Sequence, residues 1–189
     1  LREHREKLRA VFLTHGHEDH VGALPYFLRE FNVPIYGARL TDGLIRVKLQ
    51  EHRLLQGAET HVVEPGEVIS AGVFEVEFFP VAHSIPDACG LIIRTPLGLV
   101  VHTGDFKLDH TPVMDQHTDL IRLAQVGAEG WLLLLADSTY AEQEGYTPSE
   151  QLVGEALRNI MVNARGRVIV ATFASLISRV QQVIAAAVF

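Results

Sequence analysis

Residues 12–27 read FLTHGHEDHVGALPYF, and four side chains able to ligate a metal, His15, His17, Asp19 and His20, fall within six positions there. An apolar run leads into them. In an extended segment alternate side chains share a face, so His15 and His17 can reach one ion together, with Gly16 letting the backbone bend closely around it. Asp19 and His20 lie past the turn and can face a second ion nearby. Imidazole nitrogen and carboxylate oxygen form a donor set that favours zinc or manganese over calcium. Four ligands cannot complete two metal sites, so the remainder must come from elsewhere in the chain. Two further apolar runs end in candidates: FFPVAHSIPDACG places His83 just past one, and LVVHTGDFKLD places Asp105 past another, behind a Gly104 that permits a sharp turn. Taken singly, His83 reads as a hydrogen-bonded structural histidine and TGD as a common turn. Together with the first cluster they read as ligands of a dinuclear centre, which can activate water.

Such a centre needs strand ends to present its ligands. Residues 10–14 suit a short buried strand, and Val21, Leu24, Leu28 and Phe31 then recur at helical spacing, with Pro25 in a first turn where proline is tolerated. The histidine cluster therefore sits in a strand-to-helix loop. A strand is expected near residues 34–36 and a helix over 41–56, capped by Thr41 or Asp42. Across 61–106 the pattern turns to antiparallel sheet: Phe74, Val76 and Phe78 alternate with Glu75 and Glu77, and RTPLGL places Pro96 and Gly98 between two apolar runs. Helices are expected over 117–125, 149–164 and from 175 onward, with a buried strand at 131–136 and another strand at 167–173. Strands followed by alternating helix and strand indicate a layered α/β fold.

The 189 residues are 48% hydrophobic and 21% charged, a globular composition. The charged opening segment, residues 1–9, reads like the middle of a helix, and the chain stops in an apolar helical run, so it reads as an internal piece of a longer protein. No apolar run approaches the ~20 residues needed to cross a bilayer and no signal-peptide pattern is present, which leads to an expectation of a cytoplasmic protein. The single cysteine, Cys89, excludes an internal disulfide framework and reads as a small buried residue. A net charge of −7 argues against a nucleic-acid partner, although bound cations would answer that objection locally.

The motif THGHEDH resembles the His-x-His-x-Asp-His signature of the metallo-β-lactamase superfamily, and His83 and HTGDFKLD fall where its next two motifs would. VAHSIPDACGLIIRTPLGLVVHTGDFKLD, LLLLADSTYAEQEGYTPSE and VIVATFASLISRVQQVI are similar to the bacterial ribonuclease J family, in the β-CASP branch of that superfamily. Tyr140 and Leu176 stand where that family more often has asparagine.

The resemblance implies an α/β fold, an incomplete metallo-β-lactamase αββα sandwich over residues 1–146, followed by the start of a β-CASP α/β domain over 147–189. It implies that His15, His17 and His83 hold one metal, that Asp19 and His20 hold a second, and that Asp105 bridges the two. Zinc is the first expectation, with manganese or magnesium as alternatives. Asp137 is implied as a supporting acidic residue of the site; by itself it would read as a turn residue or helix cap. Ser175 in TFAS could hold an RNA phosphate or simply cap a helix. The implied activity is a metal-dependent ribonuclease, both endonucleolytic and 5′-to-3′ exonucleolytic, on 5′-monophosphorylated single-stranded RNA, with a parent protein that self-associates or pairs with a paralogue. The final metal-binding histidine of that family lies outside this span, so the piece alone is expected to be inactive. The competing readings are a small-molecule metallo-hydrolase of the same superfamily and a non-catalytic subunit of an RNA-processing complex.

Overall fold

A computed structural model describes residues 1–114 and 116–188. Two sheets lie face to face. The first is parallel, β1 (Val11–Leu13), β2 (Ile35–Gly37) and β3 (Thr60–Val62), in that order. The second holds β4 (Val68–Ala71), β5 (Phe74–Pro80), β6 (Cys89–Thr95), β7 (Gly98–His102) and β8 (Leu133–Leu135). It is antiparallel except where β8 runs parallel to β7.

Helices cover both outer faces. On the first sheet lie α1 (Glu18–Val21), α2 (Leu24–Leu28) and α3 (Arg39–Glu51), whose Val21, Leu24, Leu28, Ile45 and Leu49 pack on Leu13 and Ile35. On the second sheet lies α4 (Leu120–Glu129), whose Val126 packs on Phe79, Ile92 and Val101. Between the sheets Val76, Phe78 and Leu91 meet Ala38 and Val63, with Phe12 and Tyr36 alongside. The strict alternation of β5 and β6 is what feeds both layers: Phe78 and Leu91 point inward while Phe79 and Ile92 point to α4. The result is an αββα arrangement. Two further helices, α5 (Glu150–Asn163, capped by Ser149) and α6 (Ile177–Val188), pack against each other.

Several expectations need correction. The third helix starts at Arg39 with Ala38 at its cap position, which buries Thr41 and Asp42 in the first turn instead of placing either at the cap, and it stops at Glu51. The fourth starts at Leu120, because the Asp119 side chain accepts the Arg122 N–H and caps it; His117 stays outside. The strand expected buried at 131–136 is reduced to β8, and it is exposed because among the described residues only β7 pairs with it. Residues 167–173 form no ladder, since among the described residues no strand pairs with them, and Ile169 and Phe173 are 86% and 82% exposed. The opening charged segment forms a 3-10 helix with a kink at His4 rather than an α-helix. His61 pairs in the parallel sheet, not in the antiparallel one. Glu77, which alternates with the apolar residues of β5, is buried under α4, where its carboxylate accepts two hydrogen bonds from Arg122 at 2.6 and 2.7 Å.

Candidate metal centre

The sequence-expected ligands gather at one edge of the two sheets, on the loops after β1, β5 and β7 and on the short helix α1. His15 follows β1 and is completely buried, His17 occupies the cap position of α1, and Asp19 and His20 lie within that helix. The short α1 turns because the His17 carbonyl accepts the N–H groups of His20 and Val21, both at 3.0 Å. His83 follows β5, and Asp105 follows β7.

The loops carrying His83 and Asp105 are pinned to each other. Lys107 donates its N–H to the Ala82 carbonyl at 2.9 Å. The buried Thr118 hydroxyl accepts from the Ala82 N–H at 3.0 Å and donates to the Lys107 carbonyl at 2.7 Å. Gly104 lets the second loop turn: it has φ +59°, and a Cβ there would stand 2.7 Å from the Cys89 carbonyl oxygen and 3.2 Å from Thr14 Cβ.

The side chains converge. His83 Nε2 lies 3.1 Å from His17 Nδ1. Asp105 Oδ2 lies 3.4 Å from His20 Nε2, 3.7 Å from His15 Nε2 and 3.8 Å from His83 Nε2. Two donor sets result, His15, His17 and His83, and His15, His20 and Asp105, each with ligand atoms within 4.8 Å of one another. Two ligands bound to one tetrahedral ion at ~2.0–2.2 Å stand about 3.3 Å apart, so these separations are near those of a coordination shell. His15 Nδ1 is 3.1 Å from the Thr14 hydroxyl, whereas its Nε2 is buried with no hydrogen-bond partner. A buried nitrogen left without a partner is costly in a protein interior, and a cation would satisfy it. The donor set therefore fits a divalent metal. Burial, reinforced by the neighbouring imidazoles of His20, His83 and His17, pushes His15 down to about 3, and burial likewise lowers His83; both are neutral and free to ligate near pH 7.

Asp19 stands at the rim, its side chain 78% exposed and 3.5 Å from His20 Nε2, and belongs to neither set. Asp137 lies beyond β8. Its N–H donates to the Thr103 hydroxyl at 3.0 Å, and its Oδ1 accepts from the Thr139 N–H and hydroxyl at 2.9 and 2.6 Å. It lines a cleft of about 690 Å³ together with His83, Asp105, Tyr140 and Tyr146. Ser175 is not a helix cap, because α6 begins two residues later; its carbonyl instead accepts from Ile177 N–H at 3.0 Å and lies 3.4 Å from His17 Nε2. Reading the sequence did not single out Thr118, Thr103 or Asp109. Of these Thr103 and Asp109 carried a signal, as the second and last residues of HTGDFKLD.

The family model for the metallo-beta-lactamase superfamily matches residues 1–143. Curated relatives named Ribonuclease J are 53% identical in Thermus thermophilus, over 98% of this chain and 34% of the relative, and 47% identical in Synechocystis, over 99% and 30%. Ribonuclease J2 of Bacillus subtilis is 43% identical, over 98% of this chain and 33% of the relative. The chain thus spans about a third of the length of these relatives. Among solved structures, a protein of unknown function from Enterococcus faecalis superposes with a TM-score of 0.66 at 23% identity, over 93% of this chain and 44% of that one, a likeness of fold. With the αββα layers and the histidine loops at one sheet edge, the match over residues 1–143 establishes that the chain belongs to the metallo-β-lactamase superfamily.

Proposed function

We propose that this chain carries the metal centre of a ribonuclease that hydrolyses the phosphodiester backbone of single-stranded RNA. The observation that carries the proposal is the convergence of the imidazoles of His17, His20 and His83 and of Asp105 on the buried His15 Nε2, which has no hydrogen-bond partner. The relatives named Ribonuclease J supply the substrate class.

In this reading His15, His17 and His83 hold one divalent ion, His20 and Asp19 a second, and Asp105 lies between them; zinc suits the donors, with manganese or magnesium as alternatives. Bound there, the ions supply Lewis-acid charge for the scissile phosphate and make water a nucleophile near neutral pH. Asp19, open to solvent at the rim, would take a proton from the attacking water. Asp137, fixed by Thr103 and Thr139, supports the wall beside His83, and Ser175 offers a hydroxyl to an RNA phosphate next to His17. Both endonucleolytic and 5′-to-3′ exonucleolytic cutting are proposed, with preference for a 5′-monophosphate, in a cytoplasmic protein that self-associates or pairs with a paralogue. Residues 1–146 are proposed as the metallo-β-lactamase part and 147–189 as the start of a β-CASP domain.

The experiment is metal analysis and cleavage of a 5′-monophosphorylated single-stranded RNA by the complete protein and its Asp105→Ala variant. About two metals per chain and RNA cutting, both reduced in the variant, support the proposal. Metal binding with RNA left intact sinks it and directs attention to small-molecule esters or a non-catalytic role.

A further inference from the structure

Four residues beyond Asp105, the Asp109 side chain is only 2% exposed although its loop forms a wall of the cleft. Its partners come from both sides. Oδ1 accepts the Thr111 N–H at 3.0 Å, within its own loop. Oδ2 accepts the N–H of Glu150, the first residue of α5, also at 3.0 Å, and lies 3.5 Å from Lys107 Nζ. Around this carboxylate the two sides are tied again. Lys107 Nζ donates to the Pro148 carbonyl at 3.0 Å and stands 3.5 Å from Glu150 Oε1, while Ser149 Oγ donates to the Thr111 carbonyl at 2.9 Å. The second Glu150 oxygen accepts from Arg179 of α6 at 3.0 Å.

One end of this knot is the loop that begins at Asp105 and is pinned beside His83 by Thr118. The other end is α5 and α6, which bring Glu150 and Ser178 into the lining of the same cleft. Near the start of α6, the Ser175 carbonyl also approaches His17. Burying a carboxylate is unfavourable unless donors surround it, and here backbone N–H groups from two separate segments and an ammonium do so. Burial alone would raise this carboxyl; the Ser149 side chain first, then the two backbone N–H groups and Lys107, hold it at about 2. Asparagine could not substitute, because its amide nitrogen would face one of the two N–H donors.

We propose that Asp109 is a positioning residue that latches α5 and α6 to the Asp105 loop beside the cleft and so sets the path by which an RNA strand reaches the metal centre. This rests on the ribonuclease reading. Asp109 touches neither metal nor substrate; it acts through the walls.

The test uses the complete protein with Asp109→Asn and, separately, Glu150→Gln, which keeps the backbone N–H to Asp109 but removes the charge facing Lys107 and Arg179. The expected result is a KM for single-stranded RNA raised about tenfold in Asp109→Asn and less in Glu150→Gln, with kcat and metal content close to wild type, the pattern of lost uniform binding. Native hydrogen exchange of the metal-free protein provides a readout without turnover: α5 and α6 amides exchange faster in Asp109→Asn while those of β5 and β6 do not. Faster exchange with KM unchanged overturns the proposal, since the knot would then serve folding alone. Unchanged exchange overturns it too. Where Asp109→Asn does not fold, Glu150→Gln decides by the same two measurements. A wild type that leaves RNA intact sinks the ribonuclease reading instead, and the exchange result then judges the latch by itself.

Discussion

His17 Nδ1 and His83 Nε2, on loops 66 residues apart in sequence, face each other at 3.1 Å. Two imidazole nitrogens meet this closely when they share a proton or a cation, and the partnerless His15 Nε2 beside them makes a cation the better account. A metal that binds only the folded chain must then stabilise it. At a free metal concentration a hundredfold above Kd the gain is about 2.7 kcal/mol, which for a domain of this size raises Tm by roughly 5–10 °C. Thermal melts with zinc and with chelator should show that difference, and His83→Ala should abolish most of it. Equal melting temperatures with and without metal would remove the metal centre from consideration.

The pH dependence of the metal-free protein follows from His15. Its folded pKa of about 3 lies below the ordinary value near 6.5, so between those limits the unfolded chain binds more protons than the folded one. Stability is therefore complete above about pH 6.5 and declines as pH falls toward 3. Between pH 6.5 and 5 the loss is about 2 kcal/mol, and His83, shifted in the same direction, adds to it. Urea midpoints at pH 7 and pH 5 measure this; a midpoint that does not fall on acidification would show that His15 is not buried as a neutral ring.

The positions of the ligands were legible because each follows an apolar run, and a strand end is where a chain can present a rigid side chain to a common point. The packing around them was less so. Glu77 alternates with apolar residues and so reads as solvent-facing, yet Arg122 of α4 covers it, a partnership 45 residues distant that no local pattern announces. Residues 131–136 and 167–173 are apolar enough to read as strands, but pairing belongs to the neighbour as much as to the segment, and β8 has one neighbour while residues 167–173 have none among the described residues. Asp19 neighbours His20 in sequence, and the four-residue α1 holds its side chain at the exposed rim, 3.5 Å from His20 Nε2, a position that adjacency alone does not announce. Thr118 was invisible, since a threonine in a polar stretch carries no mark of the two loops it joins.

Thr118 therefore gives a sharp test of how the site is held. Thr118→Val keeps the shape and removes the hydroxyl, leaving the Ala82 N–H and the Lys107 carbonyl without their partner. Loss of a buried hydrogen-bond partner costs about 1–3 kcal/mol. Because these bonds orient the His83 and Asp105 loops, metal affinity should fall by roughly 10–100-fold, the usual penalty for removing an outer support of a metal ligand. Chemical denaturation and metal titration read the two effects separately. Lost stability with full metal affinity would mean that the loops hold their geometry without the clamp.

Gly104 tests the backbone instead. Alanine there meets two objections at once: φ of +59° disfavours a side chain, and its Cβ would press on the Cys89 carbonyl at 2.7 Å. The carbonyl cannot swing away freely, because the Cys89 N–H on the same strand is bonded to the Thr14 carbonyl at 2.8 Å, one residue before His15. Strain of this kind costs about 1–3 kcal/mol, and relief would come by displacing the Asp105 loop from the histidines. Gly104→Ala is therefore expected to lower Tm and weaken metal binding together. Gly127→Ala, in the last turn of α4 with open space around its Cβ, should by contrast raise stability by about 0.4–1 kcal/mol. Denaturation midpoints of the two variants, measured side by side, check the opposite signs; the same sign for both would show that the conformation at Gly104 is not strained by a side chain.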